Sequence, residues 1–252
     1  MNRNRLYATL AAAFVLTGLS AVQLFAAEGY IENFSPDKKD AKTSYPENWA
    51  LDGTKIGVNP TKFEVQSDPS CSENGKLVVT CDKATGALMT DLTEKVDLNK
   101  TPIMRWRWRI VQLPEGADGR PGGKDDQGIA LYIGANGFLT KNSIAYRWET
   151  KTPVGYEGTA KYGGGLVKVH FFAIRNEDSP IGKWVMEERN VAADFEKAYG
   201  KVPKEFALSV CANSQYTGTQ TKAEVDYIQF LSEAEAKKDP LPSEGSESPS
   251  EP

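Results

Sequence analysis

Short runs of alternating hydrophobic and polar residues recur along most of the chain, separated by clusters of Gly, Pro, Asn and Asp. A period of two residues is typical of strands with one buried face, and frequent turn residues are typical of antiparallel sheets. Strands do not alternate with helical segments, which disfavours a doubly wound fold. The pattern predicts strands over residues 76–80, 87–92, 103–111, 129–133, 143–149, 166–173, 184–191, 206–212 and 224–230.

Helical periodicity is confined to a few segments. Residues 190–199 have apolar positions at helical spacing, and Gly200 follows as a stop signal. Residues 232–238 are expected to add a turn or two. Residues 28–62 contain repeated Pro and Gly and are expected to be irregular. We therefore predict an all-β fold, an antiparallel β-sandwich of jelly-roll, galactose-binding-like type with one short helix.

The two ends of the chain differ in composition from its middle. Arg3 and Arg5 precede an apolar stretch and small residues before Glu28, which is the pattern of a secretory signal peptide over residues 1–27. A retained membrane anchor is the alternative. We expect export to the periplasm or the medium, one sandwich domain over residues 28–238, no membrane anchor after cleavage, and a disordered acidic tail over residues 239–252.

The charge of the chain limits its partners. The formal net charge is −4, which argues against nucleic acid or an anionic membrane as a partner. A protein partner is left open. The single histidine, His170, excludes any metal or catalytic site that needs two.

Three cysteines are present, and an oxidising compartment would allow two of them to pair. Cys71 and Cys81 flank the Asn74-Gly75 turn signal and are the favoured pair, with Cys211 as a buried free thiol. The alternative is that the cysteines are ordinary core residues.

The segment 104–110 has the most unusual pattern in the chain, Met-Arg-Trp-Arg-Trp-Arg-Ile. On a strand its apolar residues share one face, expected to be core, and Arg105, Arg107 and Arg109 share the other. One interpretation is a solvated face with carboxylate partners such as Asp91, Glu149 or Glu188. The other is the floor of a cleft that binds carboxylates or sugar hydroxyls.

Two later strands can be phased in the same way. Arg147 and Glu149 face opposite to Tyr146 and Trp148, and Lys168 and His170 face opposite to Val167, Val169 and Phe171. If these strands share the sheet of the arginines, one polar floor results. Its candidate ligand-binding residues are Arg105, Arg107, Arg109, Arg147, Glu149, Lys168 and His170.

Three loops add candidate ligand-binding groups. Asp125 and Asp126 lie in the Gly-rich loop 119–127, where they could bind a sugar or a hard cation or cap the backbone amides of that loop. Residues 156–165 and 213–219 combine aromatic, hydroxyl and glycine residues, and Tyr216 lies in the second. Aromatic faces beside hydrogen-bonding groups suit sugar rings, although tyrosines also pack in ordinary turns.

Several stretches of the chain resemble an uncharacterised bacterial secreted family known as domain of unknown function 3047. They span about residues 100–230 and include the Trp-x-Trp strand, the acidic pair and the Tyr-x-Trp-Glu strand in this order. The resembling stretches are 105–109, 113–117, 124–127, 144–149, 188–191, 194–195 and 226–228. This resemblance implies no catalytic residues.

A weaker likeness is to jelly-roll carbohydrate-binding modules. Residues 31–34 with Trp49 look like their first strand, and residues 225–228 look like their last. The likeness implies that these end strands lie side by side and that Glu32 and Asp226 could hold a structural calcium; no other cofactor is expected.

We therefore expect non-catalytic binding of a saccharide, with the arginine row favouring an acidic one. The alternatives are a polysaccharide-active enzyme such as a lyase, using His170, Arg107 and Tyr146, and a structural or protein-interaction module of the cell envelope.

Overall fold

The computed structural model describes residues 29–135 and 141–241, which form two β-sheets packed face to face. The predicted signal peptide, residues 1–27, lies outside the described residues. Sheet 1 has six strands in the order β12-β7-β14-β5-β4, with β1 beside β14, and sheet 2 has eight in the order β10-β11-β9-β8-β13-β6-β2, with β3 beside β6. The strands are β1 Ile31–Glu32, β2 Ala50–Asp52, β3 Asn59–Pro60, β4 Lys62–Ser67, β5 Gly75–Asp82, β6 Ala84–Asp91, β7 Ile103–Gln112, β8 Gln127–Ala135, β9 Lys141–Trp148, β10 Glu157–Tyr162, β11 Val167–Arg175, β12 Val185–Asn190, β13 Phe206–Asn213 and β14 Gln220–Leu231.

The core between the sheets is built from the alternate apolar residues that the sequence pattern indicated. On β7 the residues Met104, Trp106, Trp108 and Ile110 are fully buried. The Trp106 ring stacks on Tyr146 of β9 across the core, with ring centroids 5.3 Å apart. Both sheets therefore contribute large aromatic side chains to one layer, as expected of a β-sandwich.

All nine predicted strands are present, with ends that differ by a few residues. The sandwich is of jelly-roll type, as predicted, but not wholly antiparallel, because β11 runs parallel to β9 and β3 runs parallel to β6. Strand β10 follows β9 in the chain, lies at the edge of sheet 2 and pairs antiparallel with β11. Because β10 intervenes, β11 runs in the same direction as β9.

Two predicted irregular regions contain strands. Residues 156–165 were predicted to be a loop but include β10, and residues 28–62 include three short strands. Residues 62–67 form β4, where only Phe63 and Val65 are buried. Such short elements carry too few alternating positions to stand out from turn residues.

Two α-helices follow their sequence signals. Helix α1, Val191–Tyr199, begins after Asn190, whose side chain accepts from the Ala193 backbone N–H, and ends at Gly200 with φ 70°. Helix α2, Glu233–Lys238, begins with a capping box between Ser232 and Glu235. Among the described residues, no helix is both long and apolar enough to cross a membrane.

The first and last strands lie side by side, as the likeness to carbohydrate-binding modules implied. Ile31 pairs with Gln229, and Glu32 pairs with Ile228. Beyond α2, Asp239 accepts a hydrogen bond from Arg105 through its backbone oxygen at 2.6 Å. The first residue of the predicted tail is thus bound to sheet 1, and residues 242–252 lie outside the described part of the chain.

The favoured disulfide between Cys71 and Cys81 is wrong, because all three cysteines are free thiols. Cys71 precedes β5, whereas Cys81 lies near its far end. Ser72, next to Cys71, is bonded to Asp226 of β14, whereas Cys81 pairs with Thr221, five residues away on the same strand or about 17 Å, and a disulfide requires Cα atoms within about 7 Å. Cys81 instead contacts the Thr61 and Ser214 hydroxyls at 3.4 and 3.2 Å.

Candidate functional site

The three arginines of β7 share the outer face of sheet 1, and each is paired with a carboxylate. Arg105 contacts Glu188 at 2.7 Å and Asp239 at 3.0 Å. Arg107 contacts Asp226 at 2.8 Å, and Arg109 contacts Glu224 at 2.5 Å. Of the partners expected from the sequence, Glu188 is confirmed, whereas Asp91 and Glu149 belong to sheet 2.

The indole ring of Trp184 covers two of these arginines. The guanidinium carbon of Arg107 lies 5.0 Å from the ring centroid, and that of Arg109 lies 4.5 Å from it. With their charges paired and one face stacked, these guanidinium groups are held in place by the protein itself.

The predicted single polar floor does not exist. Arg105, Arg107 and Arg109 lie on sheet 1, whereas the other four residues lie on sheet 2. The register divides those four again, because Arg147 pairs with Ala173 on one face of sheet 2, and His170 pairs with Ile144 on the other. Phasing each strand was correct, but the assumption that the strands share one sheet was wrong.

His170 and Lys168 lie at the edge of sheet 2 beside α1. The His170 Nε2 atom is 3.2 Å from Glu157 Oε2, and its backbone N–H donates to the Tyr199 hydroxyl at 3.1 Å. The Lys168 side chain is exposed. Both residues are therefore separated by the sheet itself from Arg147.

The outer face of sheet 2 carries a buried polar network, which we call the Arg147 cluster. It consists of Asp125, Tyr132, Arg147, Glu149 and Tyr162. Nη1 of Arg147 donates to Asp125 at 2.7 Å and to Glu149 at 3.5 Å, and Nη2 donates to the Tyr132 and Tyr162 hydroxyls at 2.8 and 2.9 Å. The Tyr162 hydroxyl donates in turn to Asp125 at 2.5 Å.

The Arg147 side chain is completely buried although it belongs to an outer face. Its guanidinium carbon lies 4.1 Å from the centroid of Phe171 and 5.7 Å from that of Tyr132. One planar cation thus fixes two carboxylates and two phenol hydroxyls, a geometry that a lysine could not reproduce.

The Tyr132 hydroxyl has a hydrogen atom available for a further bond. Its oxygen accepts from Arg147 at 2.8 Å and from Gln127 Nε2 at 3.4 Å. Burial raises the pKa of Tyr132, so the hydroxyl stays protonated at neutral pH. Gln127 is oriented with Nε2 towards this hydroxyl, which leaves its buried Oε1 without a partner, and in this orientation no described residue accepts the Tyr132 proton. The half-buried ring has the small side chain of Ser209 as its cross-strand neighbour.

Glu149 is the innermost carboxylate of the cluster. It is fully buried and accepts from Thr152 Oγ1 at 2.9 Å, and a side chain at Gly119 would meet its oxygens at 3.0 Å. Burial raises the pKa of Glu149, against the lowering effect of Arg147.

We expect a pH-dependent difference between the wild type and Glu149→Gln. A raised folded-state pKa stabilises the fold below the unfolded-state pKa, and this contribution is lost as pH rises through the folded-state value. The free energy of unfolding of the wild type should therefore fall relative to that of the variant between pH 4 and pH 7, in urea titrations. Glu47→Gln, at an exposed site, serves as the control; an unchanged difference across this range would contradict the prediction.

Asp126 has a different task from its neighbour Asp125. Its fully buried carboxylate accepts from the Tyr216 and Thr217 backbone N–H groups at 3.1 and 2.7 Å and from the Thr217 hydroxyl at 2.8 Å. It therefore fixes the loop after β13, and the exposed Tyr216 side chain lies on this loop. Asp126 therefore caps backbone amides, but those of the loop after β13 and not those of its own loop, where capping was expected.

The two carboxylates suggested for calcium are both bound by protein donors. Glu32 accepts from the Phe34 backbone N–H and from Trp49 Nε1, each at 2.9 Å. Asp226 is bonded to Arg107 and to the Ser72 backbone N–H at 2.6 Å. The described residues contain no group of three or more His, Cys, Asp or Glu arranged to hold a metal ion. The calcium site stays a prediction.

The candidate catalytic residues are not brought together. Arg107 lies on the outer face of sheet 1, and Tyr146 lies in the core, where its hydroxyl donates to Asp194 at 2.7 Å. His170 lies at the edge beside α1. No ligand of ordinary size can contact all three.

Sequence reasoning missed Tyr132 and gave Tyr162 only as part of a loop. Tyr132 is the one aromatic residue on the outer face of β8, opposite to Ile129, Leu131 and Ile133. Assigning alternate residues of β8 to its two faces, as was done for β7, would have placed Tyr132 on the outer face. The contact between Tyr162 and Arg147 spans several strands and depends on strand order.

These features define a jelly-roll β-sandwich with a buried arginine–tyrosine–carboxylate cluster on one outer face. The chain belongs to the family described as protein of unknown function (DUF3047), which matches residues 47–229. Among curated proteins, none matches the sequence.

Solved structures with a similar arrangement share little sequence with the chain. The CBM22-1 xylan-binding domain of Xyn10C from Paenibacillus barcinonensis is 12% identical, with a TM-score of 0.40 over 81% of this chain and 96% of that chain. A cellulase derived from Cel12A of Rhodothermus marinus is 11% identical, with a TM-score of 0.43 over 81% and 96%. The family 12 xyloglucanase from Bacillus licheniformis is 12% identical, with a TM-score of 0.40 over 81% and 98%.

Proposed function

We propose that the protein binds a saccharide, without catalysis, on the outer face of sheet 2 beside the Arg147 cluster. The observation that carries this proposal is the pair of tyrosines whose hydroxyls are fixed by one guanidinium nitrogen. Sugar rings combine apolar faces with hydroxyl rims, so half-buried phenol rings with fixed hydroxyls match their chemistry. Binding would use the Tyr132 proton as a donor to a sugar oxygen.

The carboxylates of the cluster are committed to the protein, which favours binding over hydrolysis. Asp125 accepts from Arg147 and Tyr162, and Glu149 is buried behind Gly119. A glycosidase needs two carboxyl groups that reach opposite sides of a glycosidic bond. Lyase chemistry at His170, Arg107 and Tyr146 is disfavoured by their separation.

A neutral saccharide fits this site better than an acidic one. Arg147 is the cation of the cluster, and Asp125 and Glu149 both contact it. An added carboxylate would meet a single cation that two carboxylates already contact. The arginine row that suggested an acidic ligand is likewise paired with Glu188, Asp226 and Glu224.

The test is isothermal titration of the protein with neutral oligosaccharides of xylan, glucan and mannan type. We expect Tyr132→Phe to weaken the affinity about fivefold, because one neutral hydrogen bond contributes about 1 kcal/mol. Tyr227→Phe, which removes the same atom from the outer face of sheet 1, should leave affinity unchanged.

The proposal would be rejected if no neutral saccharide bound at millimolar concentration, or if Tyr132→Phe and Tyr227→Phe bound the same ligand equally well. If no saccharide bound, the alternative of a protein-interaction module of the cell envelope would be favoured. Export to the periplasm or the medium remains part of the proposal, and a signal-peptide cleavage assay on residues 1–27 tests it separately.

A further inference from the structure

A second charged surface lies on the other face of β10 and β11, at the edge of sheet 2. Lys161 of β10 lies directly opposite Lys168 of β11 in the antiparallel register, and both side chains are exposed. Within the described residues, neither ammonium group forms an ion pair with a carboxylate. Like charges placed directly opposite destabilise a strand pair, and a bound anion would remove this repulsion.

Two further basic side chains extend this surface, and they share one acidic partner. Lys197 Nζ of α1 lies 2.6 Å from Glu157 Oε1, and His170 Nε2 lies 3.2 Å from Glu157 Oε2. We call these residues together the cationic edge: Glu157, Lys161, Lys168, His170 and Lys197. The cationic edge has three lysines and one glutamate and is therefore positively charged, whereas the formal net charge of the whole chain is −4.

The cationic edge is separate from the Arg147 cluster. Val169 and Phe171 of β11 face the cluster, and the Phe171 ring contacts Arg147. Lys168 and His170 alternate with them and face the opposite side of the sheet, where the His170 ring contacts that of Phe172. One saccharide residue cannot contact both surfaces, because the sheet lies between them.

We propose that the cationic edge binds the carboxylate groups of an acidic polysaccharide, as a second site beyond the neutral-saccharide site. The Cβ atoms of Lys161 and Lys168 are about 5 Å apart by their register, and His170 lies about 7 Å further along the strand. Carboxylates that repeat along a flexible chain can meet successive cations at these spacings.

The charge distribution favours this ligand over a nucleic acid or an anionic bilayer. Those partners present dense and extended negative charge, which would also meet the acidic remainder of the protein. A carbohydrate chain with one charge per sugar unit can engage an isolated cationic surface without that repulsion.

The experiment is affinity electrophoresis of the whole protein in gels containing polygalacturonate at low salt. Lys161→Gln with Lys168→Gln is expected to weaken binding about tenfold or more, and added salt should weaken the wild type as well. The control is Lys62→Gln with Lys222→Gln, two exposed lysines that flank Thr80 on sheet 1 and carry the same charge change. The control should bind as the wild type does.

Three results would overturn the inference. The first is that polygalacturonate does not retain the wild type. The second is that both double variants bind polygalacturonate equally weakly. The third is that the wild type binds oligothymidylate or phosphatidylglycerol vesicles as tightly as polygalacturonate. The two sites are told apart by cross-tests, because Tyr132→Phe should retain polygalacturonate binding and the Lys161–Lys168 double variant should retain neutral-saccharide binding. The melting temperature of that double variant should not fall, since its substitutions remove a repulsion.

Discussion

Replacing Arg147 by methionine is expected to lower the free energy of unfolding by about 3–5 kcal/mol, because it leaves buried carboxylates without their cation. Asp125 and Glu149 would lose their contacts at 2.7 and 3.5 Å, and Glu149 has no exposure to water that could replace them. For a domain of this size the melting temperature should fall by about 10 °C, as measured by circular dichroism. Saccharide binding should be lost together with the fixed position of Tyr132.

The matched control is Arg120→Met. Arg120 contacts Asp118 at 2.6 Å, but its side chain is 43% exposed, and such surface ion pairs contribute less than about 1 kcal/mol. Equal losses in Arg147→Met and Arg120→Met would mean that the Arg147 cluster is not the stabilising network proposed here.

Replacing Trp106 by alanine is expected to lower the free energy of unfolding by about 3–5 kcal/mol in urea titrations, the range for large aromatic truncations in a core. The Trp106 ring is fully buried between Tyr146, stacked at 5.3 Å, and Trp108, edge-on at 5.4 Å.

Trp106→Phe should cost less than half as much as Trp106→Ala. The Trp106 Nε1 atom is buried and has no acceptor among the described residues, so phenylalanine removes an unsatisfied donor. The control is Trp148→Phe, because Trp148 Nε1 donates to the Asn176 backbone oxygen at 3.0 Å and phenylalanine removes this buried hydrogen bond, leaving the carbonyl only the Ser179 N–H at 3.1 Å. If Trp106→Phe lowered the free energy of unfolding as much as Trp148→Phe, the loss of packing and not of hydrogen bonding would account for both effects.

The sequence pattern predicts the strands well because each strand carries its own signal. The alternation on β7 places Trp106 in the core and Arg107 outside without knowledge of any other strand. Short strands such as β2 and β3 lack enough positions for this. Strand β10 was mistaken for a loop because its half-buried positions are Gly158, Ala160 and Tyr162, which resemble turn residues.

The candidate site depends on strand order, which no local pattern contains. Arg147 and Arg107 look alike on their own strands, and only the assignment to different sheets separates them. The cluster joins Asp125 from a loop to Tyr162 from an edge strand, although these residues are distant in sequence. The alternation along each strand predicted which side chains face outward, but not which of them contact one another.

Strand β14 is the last strand in the described part of the chain, yet it lies inside sheet 1 and pairs with β1, β5 and β7. Until residues 220–231 are available, β5 and β7 have an unpaired edge where β14 belongs. Sheet 1 therefore cannot assemble in the order of synthesis, and folding must wait for the C-terminal part of the chain. Late closure of sheet 1 would suit the export proposed above, because a chain passes through a translocation channel before it has folded.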